Sequence, residues 1–240
     1  MRRFLVPDIP LCPGQDVHLP ADILRHAGTV LRLAAGEEIL LGDGSGQLAR
    51  ARLQPGGLAT ILEVSQTEAA PFFMSLIQGL PKGEKLELVL QKGTELGINR
   101  FCLVEMERSI GRLPEDKQER RLQRWQKIVL EAARQCGQPR LPELEISPGL
   151  QRVVGIEAEL KLLLWEESGQ PLPAVLPKRA PKSIAVIVGP EGGITEREAK
   201  QSMAAGFLAV RLGPRILRTE TAGLAITSIL QYLYGDLSLG

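Results

Sequence analysis

The chain has 240 residues, 44% of them apolar and 24% charged, with a formal net charge of +1. This length and apolar content suit one large or two smaller packed domains and exclude disorder as the global state. Aromatic residues at 4% argue against recognition of RNA by extended stacking, and the even charge balance carries no bulk nucleic-acid footprint.

Only local groups concentrate positive charge: Arg2-Arg3, the Lys117 to Lys127 run with Arg120, Arg121 and Arg124, and Lys178-Arg179-Lys182. A charge run on a helix ordinarily forms a solvated face. Cys12, Cys102 and Cys136 are odd in number and far apart, which reads as reduced thiols rather than a disulfide framework. With His18 and His26 as the only histidines, the usual zinc ligand sets cannot be assembled, so no metal is expected. Without a leader-like segment or a run of 18 apolar residues, the expectation is a soluble, cytoplasmic protein.

Residues 1 to about 70 are punctuated by turn signals at Pro7, Pro10, Pro13-Gly14, Gly42-Asp43-Gly44 and Pro55-Gly56-Gly57. Short strands fit between them at Glu38 to Leu41, Leu48 to Leu53 and Ala59 to Val64, with one helix near Ala21 to Leu31. This pattern predicts a small β-barrel, for which packing or oligomerisation is the plain role. A polar stretch at Thr67 to Pro71 then marks a boundary, dividing the chain into 1–70 and 71–240.

From Phe72 onward strands and helices alternate, which predicts a mostly parallel sheet. Phe72 to Gln78 is the first strand, Glu84 to Gly97 a helix stopped by Gly97, and Phe101 to Val104 the next strand. Pro114 precedes a long helix with Leu122, Trp125, Val129, Ala132, Ala133 and Cys136 on one face. Leu160 to Trp165 is a buried strand, and a Pro-rich loop around Pro171 to Pro181 leads to Ile184 to Val188. Five consecutive apolar residues, mostly β-branched, read as a strand buried on both faces. It stops at Gly189-Pro190-Glu191-Gly192-Gly193, so the loop falls at the strand's carboxyl end, where open α/β sheets bind ligands. Thr195 and Glu198 form a capping-box pattern, with Ile194 and Ala199 as a staple, and Gly206 ends that helix. Phe207 to Leu212 is the next strand. After Gly213-Pro214 comes a last helix with Ala222, Ala225, Ile226, Ile229, Leu230 and Leu233 as one stripe and Glu220 near its start.

Gly189-Pro190-Glu191-Gly192-Gly193, Leu212-Gly213 and Ile216-Leu217-Arg218-Thr219-Glu220-Thr221-Ala222, with Leu80-Pro81-Lys82-Gly83 and Gln91-Lys92-Gly93-Thr94-Glu95-Leu96-Gly97-Ile98 upstream, resemble one signature. It is that of the bacterial small-subunit (16S) ribosomal RNA uridine N3-methyltransferase family, the RsmE type of the SPOUT class. Several motifs in order over nearly the whole chain make this a specific resemblance. Arg2-Arg3-Phe4 also matches it. Gln135-Cys136-Gly137 with Arg140-Leu141-Pro142 matches with one departure: Gln138 stands where the family usually has Arg.

The resemblance implies an α/β fold, a SPOUT-type parallel sheet with a C-terminal trefoil knot preceded by a PUA-like RNA-binding β-barrel. It implies S-adenosyl-L-methionine as cofactor, small-subunit ribosomal RNA or the assembled small subunit as substrate, and a homodimer. The cofactor residues it indicates are Leu164, Gly189, Pro190, Glu191, Gly192, Gly193, Leu212, Gly213, Ile216, Leu217 and Thr221. Arg2, Arg3, Lys82, Lys92 and Arg140 are indicated for RNA. For catalysis the candidates are Arg218 as an electrostatic group and Glu191 or Glu220 as acceptor of the uridine N3 proton. The bland alternatives are a helix-start charge for Glu220 and a turn-fixing carboxylate for Glu191. Two other readings of the chain remain: a phosphate cradle, against which Pro190 removes a loop amide, and a non-catalytic RNA-binding or ribosome-assembly protein.

Overall fold

The computed structural model describes residues 1–111 and 113–238, which fall into two compact units. The first consists of Met1–Glu68 and Ala133–Leu141. Its strands are β1 (Arg2–Leu5), β2 (Asp16–His18), β3 (Glu38–Gly42), β4 (Gln47–Leu53) and β5 (Leu58–Gln66), in the order β1-β3-β4-β5-β2. The β1–β3 pair is parallel and the others are antiparallel. Ile39, Leu41, Ala49, Ala51, Ala59 and Ile61 alternate inward and are fully buried, which closes this small half-barrel on one core. The expected helix is present as α1 (Ala21–Arg25) continued by a π turn over His26–Val30. β1 and β2, at four and three residues, are too short to display an alternation in sequence.

The segment after the long helix straps onto this half-barrel. Arg3 Nη1 donates to the Gly137 carbonyl at 2.6 Å, Arg134 pairs with Asp22 at 2.9 Å, and Leu141 N–H donates to the Gly44 carbonyl at 2.7 Å. Arg140 donates to the Ser45 carbonyl and pairs with that residue in an antiparallel bridge.

The second unit, Ala69–Ala132 and Pro142–Gly240, holds a seven-stranded sheet. Its strands are β6 (Phe73–Gly79), β7 (Arg100–Val104), β8 (Glu143–Ser147), β9 (Leu160–Leu164), β10 (Gln170–Pro171), β11 (Ser183–Val188) and β12 (Leu208–Arg211). The order is β10-β12-β9-β11-β6-β7-β8, and every pairing is parallel, as the alternation of elements predicts. β11 lies near the centre, and Ile184 to Val188 are buried. The short edge strand β8 escapes the sequence reading because its charged positions, Glu143 and Glu145, are exposed and interrupt its apolar ones.

The helices are α2 (Lys85–Glu95), α3 (Glu115–Cys136), α4 (Glu196–Ala204) and α5 (Thr219–Tyr234). Thr195 and Glu198 make the predicted capping box at α4, and Ile194 and Ala199 are buried beside it. On α3, Trp125, Val129, Ala132 and Ala133 are buried as expected, whereas Cys136, the last residue of the helix, is exposed. The buried face of α5 also differs from the expected stripe. Ala222, Ile226 and Leu230 are inside, but Gly223, Thr227 and Gln231 accompany them, while Ile229 and Leu233 are exposed. Gly223 and Gln231 face inward where α2 and the side chains of β6 pack against the helix. A Cβ on Gly223 would lie 3.5 Å from Gln78 and Leu76 side chains, and the Gln231 amide reaches the Gly97 carbonyl.

Candidate active site

Three neighbouring strands end together. Val188 of β11, Leu164 of β9 and Val210 of β12 are in register side by side, so the loops that follow them emerge from one edge of the sheet. They enclose a cavity of about 560 Å³ lined by Leu164 to Glu166, Val188 to Glu191, Gly193, Ile194 and Val210 to Thr219, with Ala222 and Lys85 completing the wall. That volume lies within the range of small-molecule sites.

Hydrogen bonds lock the loops to each other. The Thr219 hydroxyl donates to the Gly189 carbonyl at 2.6 Å and accepts from Gln78 Nε2 at 2.8 Å. Trp165 N–H donates to the Val210 carbonyl at 3.0 Å, and Gly193 N–H to the Pro190 carbonyl at 2.9 Å. Gly79 lets the first loop pack against the sheet: a Cβ there would lie 2.7 Å from Pro190 N and 2.6 Å from its Cδ. At Gly213 the φ of +75° is one that favours glycine.

Of the expected cofactor residues, Leu164, Gly189, Pro190, Glu191, Gly193, Leu212, Gly213, Ile216 and Leu217 line this cavity. Gly192 does not: it packs on Arg108, whose guanidinium donates to the Gly192 carbonyl at 3.2 Å. Thr221 lies exposed on the first turn of α5 and is also outside the lining. Among the described residues, the main-chain N–H groups of Leu212, Gly213, Ile216 and Leu217 donate to no other main-chain group. The walls therefore combine apolar side chains with open backbone donors. That is the donor set required by a flat heteroaromatic ring with a polar edge, and it fits S-adenosylmethionine.

The charged groups are distributed unevenly. Arg218, the N-cap residue of α5, lines the cavity and is exposed. Glu191 accepts from the Lys82 main-chain N–H at 3.1 Å and from Lys85 Nζ at 2.8 Å. Burial alone raises the Glu191 pKa, but the Lys85 ammonium and the backbone N–H groups of Glu191 and Lys82 outweigh it and hold the carboxyl below its ordinary value. Glu220 stands 4.0 Å from the same ammonium, and its Oε2 is buried without a hydrogen-bond donor. Lys85 therefore sits between two carboxylates at the cavity wall. Lys85 lies two residues past the Leu80-Pro81-Lys82-Gly83 motif, outside every stretch that carries the family resemblance.

The residues expected at RNA divide between the two units. Arg3 and Arg140 are tied to main-chain carbonyls within the half-barrel unit, and Arg2 is exposed there. In the sheet unit, Lys92 pairs with Glu95 at 2.8 Å on α2. Lys82 adjoins the cavity through its main-chain contact with Glu191. Among the described residues, no group of His, Cys, Asp and Glu is placed to hold a metal, and no helix is long and apolar enough to cross a membrane.

This architecture is one shared with RNA-modifying enzymes of known structure. A solved ribosomal RNA small subunit methyltransferase E from Neisseria gonorrhoeae, bound to S-adenosyl methionine, superposes with a TM-score of 0.84 at 38% identity, covering 98% of this chain and 99% of that one. A methyltransferase from Legionella pneumophila solved with the same cofactor gives 0.84 at 32%, covering 98% of each chain. The model of the RNA methyltransferase domain matches residues 68–231, and that of the RNA methyltransferase PUA domain matches residues 19–61. The ribosomal RNA small subunit methyltransferase E of Bacillus subtilis is 31% identical over 91% of this chain and 88% of its own length. The chain belongs to this RNA methyltransferase family.

Proposed function

We propose that the protein methylates N3 of a specific uridine in small-subunit (16S) ribosomal RNA, on the assembled small subunit, with S-adenosylmethionine as methyl donor. The observation that carries this reading is the cavity at the ends of β9, β11 and β12, with apolar walls, open backbone donors and Arg218 at its rim. The cofactor supplies a methyl group activated by a sulfonium. Leu164, Leu212, Ile216 and Leu217 bind its adenosine portion, and the rigid loops hold the methyl in line with the incoming N3 while excluding water.

Uridine N3 becomes nucleophilic by losing its proton. Arg218 and Lys85 stabilise the negative charge that develops on the uracil ring. Glu191 already accepts from Lys82 and Lys85 and has a lowered pKa, so its role is to hold the Gly-rich loop. Glu220 is outside the cavity lining, 4.0 Å from Lys85, and it is the remaining candidate carboxylate to which the proton can pass from the uridine.

Residues 1–70 form the PUA-like RNA-binding domain and 71–240 the SPOUT domain, whose C-terminal β11–α5 segment forms the trefoil knot. Exposed Ile229, Tyr232 and Leu233 of α5, with Leu237 just beyond it, supply the face on which a second copy packs, giving a homodimer. The protein acts in the cytoplasm, where its substrate is assembled. The decisive experiment is transfer from labelled S-adenosylmethionine to small subunits lacking the mark, with nucleoside mass spectrometry. N3-methyluridine is the expected product; cofactor binding with no labelled nucleoside would remove the catalytic reading.

A further inference from the structure

A second cavity of the sheet unit lies between the start of α2 and the middle of α3, with a volume of about 400 Å³. Its floor is apolar, formed by Leu80, Leu113 and Trp125, which are 2%, 4% and 6% exposed. Its rim carries Lys82, Arg121 and Arg124. Arg121 and Arg124 stand three residues apart on α3 and so share a face, which singles them out from the rest of the Lys117 to Lys127 run. Arg124 is neutralised by Glu87 at 2.8 Å. Among the described residues, no carboxylate lies within ion-pair distance of the Lys82 ammonium or the Arg121 guanidinium. Glu84 is the remaining rim carboxylate, so the cavity mouth carries a net positive charge.

This cavity shares a wall with the first one. The Lys82 main-chain N–H binds Glu191 at 3.1 Å, and Glu191 lines the cavity described above. Lys82 thus belongs to both: its main-chain N–H meets the wall of the first cavity and it lines the second together with Arg121. Ile110, 63% exposed on the same rim, offers an apolar contact for the adjoining base or ribose.

We propose that the α2–α3 cleft is a phosphate-binding subsite in which Lys82 and Arg121 hold the RNA strand beside the methylated nucleotide. It rests on the function proposed above and extends it by joining Lys82, which the resemblance indicates for RNA, to Arg121 of the charge run in one cleft. Cations that touch phosphate set affinity and its salt dependence and leave the chemical step alone.

The test compares Arg121→Glu, Lys82→Ala and their combination with the unaltered protein, using Lys200→Glu on α4 as a charge-matched control. The readouts are KM for small subunits lacking the mark at several salt concentrations, kcat at saturation, and the dissociation constant of S-adenosylmethionine. Each cleft variant is expected to raise KM by about tenfold and to flatten the dependence of log affinity on log salt by about 0.7 to 1. The control should change neither, and kcat and cofactor binding should stay within about twofold. Unchanged KM and salt slope in the double variant, with methylation intact, would overturn the subsite and leave the proposed function standing. Parallel losses of cofactor affinity and kcat would also overturn it, since they point to damage of the first cavity. Absence of transfer by the unaltered protein would instead overturn the function, and the subsite with it.

Discussion

The Thr219 hydroxyl donates to the Gly189 carbonyl at 2.6 Å, joining the start of α5 to the loop that follows β11, across thirty residues of chain. The same oxygen accepts from Gln78 Nε2 at 2.8 Å, at the end of β6. One side chain therefore fixes three elements around the cavity. Thr219→Val removes both bonds, leaving the Gly189 carbonyl without this donor and Gln78 Nε2 with only the Gly79 carbonyl at 3.0 Å, in a buried setting. The expected loss of stability is about 1–3 kcal/mol, read from the denaturant midpoint, with weaker cofactor binding by calorimetry. Thr219→Ser should restore most of both.

Gly79 should be intolerant of any side chain. A Cβ would sit 2.7 Å from Pro190 N, a backbone atom that can move only if the Gly-rich loop moves with it. Gly79→Ala is expected to cost about 1–3 kcal/mol and to reduce cofactor affinity more than Gly14→Ala, where no atom lies within 4 Å although φ is +80°. Calorimetric titration of the two variants distinguishes displacement of the loop from general loss of stability.

The Lys85–Glu191 pair makes a prediction about acid. The folded-state pKa of Glu191 is lowered below its ordinary 4.5, so the unfolded chain binds its proton more readily. The pair's contribution is thus present above that value and is lost as pH falls through the folded pKa. Lys85→Met removes the 2.8 Å contact, and its stability should decline less steeply than that of the unaltered protein below about pH 4.5. Denaturant titrations from neutral pH into this range measure the difference.

Arg218 lines the cavity, and its side chain makes none of the hydrogen bonds that lock the loops. Arg218→Ala is expected to lower methyl transfer by about a hundredfold or more while changing cofactor affinity little. A comparable loss of cofactor binding would assign Arg218 to the cofactor instead of the developing charge.

Thiol chemistry should divide by burial. Cys102 is fully buried and its Sγ lies 2.6 Å from Glu145, so burial first and the carboxylate second push its pKa well up. Cys12 and Cys136 are exposed. An alkylating reagent should modify these two in the native protein and reach Cys102 only in denaturant, as counted by intact mass.

The sequence by itself determined β6, β7, β9, β11 and β12 of the parallel sheet, because a strand covered on both faces must be largely apolar, as Ile184 to Val188 are. It also determined the capping box at Thr195 and the position of the Gly-rich loop at a strand end, since those features depend on residues a few positions apart. The short strands β1, β2 and β8 were not legible, being too brief or too charged to show a period. Lys85, Gly79 and Gln78 were likewise hidden: each acts through a partner more than a hundred residues away, at Glu191, Pro190 and Thr219. The inward face of α5 was misjudged because hydrophobicity ranks Ile229 and Leu233 above Gly223 and Thr227. Only the tertiary structure decided that Ala222, Gly223, Ile226, Thr227 and Leu230 form the buried face of the helix and that Ile229 and Leu233 turn outward. Local chemistry is written in neighbours along the chain, whereas close approach depends on which distant elements meet.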